Sequence, residues 1–172
     1  MVNIASRRVP INDGYETCER TYAELRIYGD DLNPDNIAEL IGLESTSSQK
    51  KGMERINSLG RKYIFKLGGW FLSSEKYVQS KDVRRHLDWL LERLAPVKNR
   101  LFEIQEAVGI TMNVNCIWWS AFGDGGPTLW PEQMQTLAEL NLELVFDISF
   151  YGESEESCEN GMTKTESGAE ST

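Results

Sequence analysis

The feature that most constrains this fold is a strict two-residue alternation in the segment TYAELRIYG, residues 21–29. Successive side chains of a β-strand point to opposite faces, so such an alternation predicts a strand with two chemically different sides. One side is predicted to carry small and aliphatic groups, and the other is predicted to carry aromatic and charged groups. The first set is Thr21, Ala23, Leu25 and Ile27, and the second is Tyr22, Glu24, Arg26 and Tyr28.

Two later segments, ITMNVNCIWW and LELVFDISFY, repeat the same alternation. Their inward sides are predicted to be Met112, Val114, Cys116 and Trp118, and Leu142, Leu144, Phe146, Ile148 and Phe150. The segment KYIFKLGGWFLSSE holds two β-rich runs interrupted by Gly68 and Gly69. This pattern favours a tight hairpin or a strongly bulged strand.

Helical segments lie between these strands. In DDLNPDNIAELIGL, Asn33 is a good N-cap, Pro34 suits the first helical position, and Gly42 can end the helix. The segments KDVRRHLDWLLERLA, VKNRLFEIQEAVG and WPEQMQTLAELN also have helical apolar spacing, and Pro96 should end or kink the first of them. The order predicts an α+β two-layer sandwich, ferredoxin-like, with a mostly antiparallel sheet and helices on one face.

The chain of 172 residues fits one domain with a real core. We assign residues 21–151 to this domain and residues 1–20 to a leader whose order the pattern leaves open. Residues 152–172 hold six glutamates, one lysine and few large apolar groups. Such a tail cannot bury enough surface to offset its ordering entropy, so we expect it to be disordered.

Charge and composition exclude several classes of protein. The net charge is −9, and a mildly acidic body without a stripe of Lys and Arg argues against nucleic-acid binding. No apolar run could span a membrane and no signal peptide is visible, so we expect a cytoplasmic protein. Three separated cysteines and a single histidine form neither a zinc pattern nor a disulfide framework. We therefore predict no metal and no cofactor.

The order of several short pieces resembles a known family. The pieces are YGDDLNPDNIAELIGLEST, GGWFLSSE, HLDWLLERLAP, GDGGPTLWPEQMQTLAEL and DISFY. Together they are similar to a bacterial family catalogued as domain of unknown function 4279, over roughly Tyr22 to Tyr151. The matching positions are Gly29, Pro34, Trp70, Ser74, His86, Leu87, Gly125, Gly126 and Pro131. The resemblance implies the fold and no reaction.

The stretch IWWSAFGDGGPTLW, residues 117–130, raises a choice between a ligand loop and a turn. Glycines before a helix N-terminus can present N–H groups to an anion, but Asp124 would repel that anion and no P-loop lysine follows. Glycines also allow positive φ in a turn, and Pro131 begins a helix. The structural interpretation is favoured. The loop residues Asp124, Gly125, Gly126 and Trp130 stay in the binding hypothesis as a rim.

The single histidine and the cysteines give little evidence of a function. His86 is next to the apolar stripe of a helix, where a histidine bonded to a neighbour is the simpler interpretation. Cys116 falls on the inward side of a strand and is predicted to be in the core. No catalytic residue is assigned.

The residues predicted on the outward side of the sheet give the most information about function. Alternation alone predicts a solvated polar face, but large tyrosines and tryptophans with an arginine are typical of recognition surfaces. The predicted binding residues are Tyr22, Glu24, Arg26, Tyr28, Lys66, Asn113, Asn115, Trp119, Asp147 and Tyr151, with Glu143 and Ser149 on the same side.

These residues predict a small binding or interaction module of immunity-like or regulatory type, acting as a homodimer or on a partner protein. The alternative is a small-molecule-binding protein or an enzyme with a cleft at the sheet rim near the glycine-containing turns. In that case Glu143 or Asp147 would pair with Glu24 as acid and base, and Arg26 would hold an anionic substrate.

Overall fold

The computed structural model describes residues 8–150. In this range the strands are β1 Cys18–Gly29, β2 Ser47–Gln49, β3 Glu54–Ile56, β4 Lys62–Ile64, β5 Gly68–Ser73, β6 Ile110–Ser120 and β7 Glu143–Phe150. The helices are α1 Pro34–Ile41, α2 Val83–Leu94, α3 Lys98–Gln105 and α4 Pro131–Glu139. None of the helices in residues 8–150 has the length and apolar character that a membrane span needs.

Five strands form one sheet in the order β2-β5-β1-β6-β7, with β1 at its centre. The β1 strand is antiparallel to both neighbours, and only β6 and β7 run parallel. The predicted α+β two-layer sandwich with a mostly antiparallel sheet is confirmed. The ferredoxin-like comparison holds for the layers and differs in strand order, because β6 and β7 are direct neighbours rather than strands separated by a third.

The helices begin and end where the sequence supplies caps. The Asn33 side chain accepts a hydrogen bond from the Asp35 N–H at 3.1 Å, and Gly42 ends α1 with a φ of 74°. Asp82 caps α2 in the same way through the Arg84 N–H. Pro96 lies in a 3-10 turn, residues 95–97, that separates α2 from α3.

The core lies between the helices and one face of the sheet. Leu25 and Trp70 from the sheet and Leu87, Leu90 and Leu101 from the helices are almost fully buried. Every sheet residue in this core cluster comes from the same face, which confirms that the helices lie on one side. The opposite side of the five-stranded sheet is called the open face below.

The prediction for the segment around Gly68 and Gly69 was wrong. Residues 62–64 do not pair with β5; they pair with residues 54–56 in a separate two-stranded sheet. Lys66 consequently lies in the connection between the two sheets and not on the open face. The apolar run in β5 concealed this break, because both of its faces are buried and period-two alternation is lost.

The inward side of β7 is only half covered. Leu142 is buried, but Phe146, Ile148 and Phe150 are 41%, 60% and 56% exposed. A nine-residue helix such as α4 is about 14 Å long, whereas an eight-residue strand is about 26 Å long. Since α4 leads directly into β7, it covers the first half of that strand and leaves the second half open.

Candidate binding surface on the open sheet face

The open face brings together most of the residues predicted from alternation. Strand register places Arg26 beside Asn113 and Glu24 beside Asn115. Parallel pairing then sets Asn115 beside Val145. The predicted residues that share this face are Tyr22, Glu24, Arg26, Tyr28, Asn113, Asn115, Trp119, Glu143, Asp147 and Ser149.

Arg26 is fixed in the middle of the open face. Its Nε–H donates to Glu24 Oε1 at 2.7 Å. With its amide oriented so that oxygen faces the donors and nitrogen the acceptor, the buried Asn115 accepts from the guanidinium at 2.9 Å and donates to the Val145 carbonyl at 3.1 Å. These partners hold the guanidinium in one orientation before any ligand arrives, which lowers the entropy lost on binding.

A second arginine, Arg20, was missed by the sequence analysis. Its guanidinium lies over the Trp119 ring at 4.7 Å and over the Tyr22 ring at 5.4 Å, and it forms an ion pair with Glu75. Such stacking of a cation on aromatic faces stabilises both groups. Arg20 shares the parity of Tyr22, so extending the alternating segment by one residue would have included it.

Beneath these polar groups lies an apolar floor. Ile117 is 3% exposed and Phe71 is 9% exposed, although neither belongs to the core cluster between sheet and helices. Phe71 packs edge-on against Tyr28 with ring centroids 5.2 Å apart. Side chains on the open face therefore exclude water from one another, which a simply solvated face would not require.

A hollow of about 440 Å³ opens on this face. Its polar lining comes from Arg26, Tyr28, Asn113, Asn115 and Asp147. Burial raises the pKa of Tyr28, so its phenol stays protonated at neutral pH and can donate a hydrogen bond. The hollow thus offers a cation, a phenol and two amides beside one carboxylate.

The remaining predicted residues lie elsewhere. Tyr151 lies outside the described residues, as does the acidic tail 152–172. Trp130 packs on the helix side, where its ring contacts the guanidinium groups of Arg8 and Arg84. Residues 8–17, part of the segment we assigned to a leader, also lie on that side, with Tyr15 edge-on to the core residue Trp118.

The glycine-rich loop is closed by its own contacts. The Gly123 N–H donates to Ser120 Oγ at 2.9 Å, and that hydroxyl donates to the Asp124 carbonyl at 3.0 Å. Gly123 and Gly125 have φ values of 78° and 76°, a backbone region that other residues rarely adopt. These features support the structural interpretation of the loop.

We expect Gly125→Ala to lower the free energy of unfolding by about 1–2 kcal/mol, because it adds a Cβ at positive φ. That Cβ would lie 2.2 Å from Thr17 Oγ1. Gly126→Ala is the matched control, since its Cβ would meet nothing within 4 Å. Urea unfolding of both variants measures the difference, and equal stabilities would contradict the strained turn.

The one histidine is buried rather than placed at a helix edge. His86 is 1% exposed, its Nδ1 lies 2.8 Å from Ser74 Oγ, and its Nε2 lies 2.9 Å from the Ser80 carbonyl. A carbonyl only accepts, so Nε2 carries the proton and Nδ1 accepts from Ser74. Ser74 is fully buried, so no substrate reaches this pair. The Ser74–His86 pair links β1, the loop after β5, and α2.

The two described cysteines are also structural. Burial raises the pKa of Cys18 to about 11 and that of Cys116 to about 12. Both thiols are therefore protonated at neutral pH and are poor nucleophiles. The prediction that Cys116 is a core residue is confirmed, since it is fully buried in the core cluster.

A family model matches most of the chain. Residues 19–151 match the model of a family described as "Domain of unknown function (DUF4279)". No curated protein and no solved structure matched the chain.

Proposed function

The chain belongs to the DUF4279 family, whose description names no activity, and we propose that it is a small binding module whose working surface is the open face. The observation that carries this proposal is the apolar floor of Ile117 and Phe71 beneath a rim of arginines and aromatic rings. Interfaces between proteins commonly have this composition, with Tyr, Trp and Arg enriched and water excluded from the centre.

The arginines of the open face support recognition rather than simple solvation. Arg26 is held by Glu24 and Asn115, and Arg20 is held by Glu75 and two rings. A guanidinium has five N–H donors, so each arginine keeps donors for a bound partner. Fixed arginines next to aromatic groups are frequent hot spots of binding energy.

The partner in this proposal is a protein, either a second copy of the chain or a different protein in the bacterial cytoplasm. A regulatory or immunity-like role fits a small acidic domain that acts by covering another protein's surface. Where the partner is a different protein, the net charge of −9 favours a basic one and speeds its encounter.

The hollow around Arg26 supports the alternative function, a small-molecule site. Its lining includes the guanidinium of Arg26 and the carboxylate of Asp147, a set that suits a small ligand with an anionic group and hydrogen-bond donors. This hollow lies on the open face, and no residue of the glycine-rich loop at positions 123–126 lines it.

Truncating the aromatic rim tests the main proposal. We expect Tyr28→Ala combined with Trp119→Ala to weaken self-association or partner retention about tenfold or more, because both rings contribute buried contact area. Sedimentation velocity measures the first, and retention of proteins from native cell extract by immobilised protein measures the second. Tyr77→Ala is the control, an exposed aromatic on the helix side stacked on Trp89.

The same variants separate the two functions. If the double variant behaves as wild type in both measurements, the open face is not the working surface for a protein. A thermal shift produced by small carboxylates or phosphates, and abolished by Arg26→Ala alone, would favour the small-molecule site.

A further inference from the structure

A basic hairpin projects from an otherwise acidic protein. Residues 50–67 contain six Lys and Arg and one Glu, a net charge of +5 in a chain of −9. They include β3, β4 and the connections to β2 and β5. The base of the hairpin is held by ion pairs from Lys50 to Asp35 and from Lys51 to Asp30. The basic residues are Lys50, Lys51, Arg55, Arg61, Lys62 and Lys66.

The same hairpin also exposes apolar side chains. Leu59 at the tip is 76% exposed, and Ile56 and Ile64 are 60% and 59% exposed. Every residue of both strands is exposed, and an isolated two-stranded hairpin is only marginally stable in water. Among ion pairs between described residues, none includes Arg55 or Arg61. The hairpin therefore offers apolar and cationic groups for a partner to cover.

A complementary surface lies on β7, at one edge of the five-stranded sheet. Glu143 and Asp147 are exposed on the open face, and Val145 between them is 38% exposed. The outer edge of β7 pairs with no strand in the described part of the chain. Its backbone groups are thus available to another chain. This surface is acidic where the hairpin is basic, and it is also partly apolar.

Strand directions put the two surfaces at the same end of the sheet. The β5, β6 and β7 strands all begin at the end where β1 stops, as their pairing with β1 and β6 shows. The hairpin leads directly into β5 and therefore lies at that end, near the β2 edge. Glu143 begins β7 at that end, near the opposite edge.

We propose that two copies of this chain associate through their open faces about a two-fold axis parallel to the strands, with the hairpin of each copy against β7 of the other. Rotation about such an axis leaves the corresponding strand ends of both copies at the same end of the dimer, and it reverses the order of the strands across the sheet. The hairpin at the β2 edge of each copy therefore lies against the β7 edge of the other copy. The contact occurs twice and closes the assembly as a dimer. This inference rests on the proposed function and specifies its partner as a second copy.

The local charges favour a second copy over a nucleic acid or an anionic membrane, which a basic hairpin could also attract. Arg55, Arg61 and Lys62 would face Glu143 and Asp147, so opposite charges meet at both contacts. A phosphate backbone or an anionic bilayer lying on the open face would instead meet those two carboxylates and be repelled.

A charge-swap experiment on the full chain tests the dimer. One variant carries Arg55→Glu with Arg61→Glu, and the other carries Glu143→Lys with Asp147→Lys. Alone, each places like charges at both contacts, and we expect dimerisation to weaken about tenfold or more. Mixed in equal amounts, they place opposite charges at both contacts of a heterodimer, and we expect the dimer to return. Sedimentation velocity at about 100 µM reads the mass, which is 19.6 kDa for one chain.

The control is Arg85→Glu with Lys98→Glu, which makes the same change of charge on α2 and α3, on the opposite side of the sheet. Circular dichroism checks that every variant is folded. A wild-type chain that stays monomeric overturns the proposal, as does a dimer that neither reversal weakens, or single variants whose mixture does not recover. Binding of phosphatidylserine vesicles or duplex DNA by a monomeric wild type also overturns it.

Failure of this proposal is distinguishable from failure of the proposed function. A monomeric chain that still retains a different protein, and loses it with Tyr28→Ala and Trp119→Ala, keeps the open face as a working surface. A dimer sensitive to those aromatic variants but not to charge reversal keeps self-association and removes the contact between hairpin and β7.

Discussion

Replacing Arg84 by alanine should lower the free energy of unfolding by about 3–5 kcal/mol. The Arg84 and Asp82 side chains are 2% and 3% exposed, so the substitution leaves a buried carboxylate without its cation. Removing one partner of a buried ion pair destabilises a protein far more than replacing both partners by apolar groups, because the remaining charge is still excluded from water.

The position of Arg84 explains why the effect should be this large. Its Nε–H and Nη2–H groups donate to the two Asp82 oxygens at 2.8 and 2.6 Å. Other N–H groups donate at 2.8 Å to the carbonyls of Val9 and Pro10. Gln133 at the start of α4 donates to the Arg84 carbonyl at 2.8 Å. One side chain thus joins the N-terminal segment to α2, and its backbone joins α2 to α4.

Urea unfolding at neutral pH measures the loss. Arg85→Ala, the exposed neighbour, is the matched control and should change stability by about 0.5 kcal/mol or less. Adding Asp82→Asn to Arg84→Ala should cost less than the sum of the single changes, because the unpaired charge is removed. Additive losses would contradict a coupled ion pair.

The acid dependence of Asp82 follows from the same contacts. Burial alone would raise its pKa, but hydrogen bonds from Arg84 and from the Asn12 N–H outweigh burial and lower it. A carboxyl whose pKa is lower in the folded state than in the unfolded state stabilises the protein fully at pH values above its ordinary pKa near 4. That contribution is lost as pH falls through the folded pKa, and we expect Arg84→Ala to lose much of it.

Replacing His86 by alanine should lower the free energy of unfolding by about 2–4 kcal/mol. The imidazole is 1% exposed and packs within the helix layer, so its removal leaves a cavity. It also leaves the Ser80 carbonyl without its donor, and the buried Ser74 hydroxyl keeps only the Ala23 carbonyl as an acceptor. The Ala23 N–H donates to the same hydroxyl at 3.0 Å, so the loss reaches the central strand.

Acid should destabilise the protein through the same histidine. Burial lowers the pKa of His86, and this effect exceeds the opposing effects of Ser80 and Asp82. The unfolded chain therefore binds a proton at higher pH than the folded chain. The stability that His86 contributes is complete above the unfolded pKa near 6.5, and it is lost at up to about 1.4 kcal/mol per pH unit as pH falls from there to the lower folded pKa.

His86→Gln separates titration from packing. Glutamine can donate to the Ser80 carbonyl but does not titrate, and the chain has one histidine. Unfolding free energies measured from pH 7.5 to 5 should therefore fall for wild type and stay nearly flat for this variant. An equal slope in both proteins would show that another group causes the acid dependence.

The open face was predictable from sequence to the extent that its strands have unlike sides. In β1, residues from Thr21 to Tyr28 alternate between core and open face as predicted. In β5 every residue is buried, so Phe71 gave no sign of belonging to the open face. Lys66 was misplaced for the same reason, because the β-rich run hid the boundary between two sheets.

The partners of each residue were not predictable, because they depend on strand order. Arg20 meets Trp119 because β1 and β6 are neighbours and their register sets these two residues opposite each other. The Arg26–Asn115 contact needs the same pairing, and the Asn115–Val145 contact needs the parallel addition of β7. A local pattern carries no information on these long-range choices.

The sequence by itself determined the order and approximate position of the main strands and helices and which side of β1 faces the core. Alternation and end caps are local properties of a backbone, so they can be read without knowledge of neighbours. Only the tertiary structure decided how those sides are covered. A short α4 leaves half of β7 exposed, and the separate pairing of β3 with β4 forms a basic hairpin outside the main sheet. Coverage depends on element lengths and on the elements packed nearby, and these are properties of the whole fold.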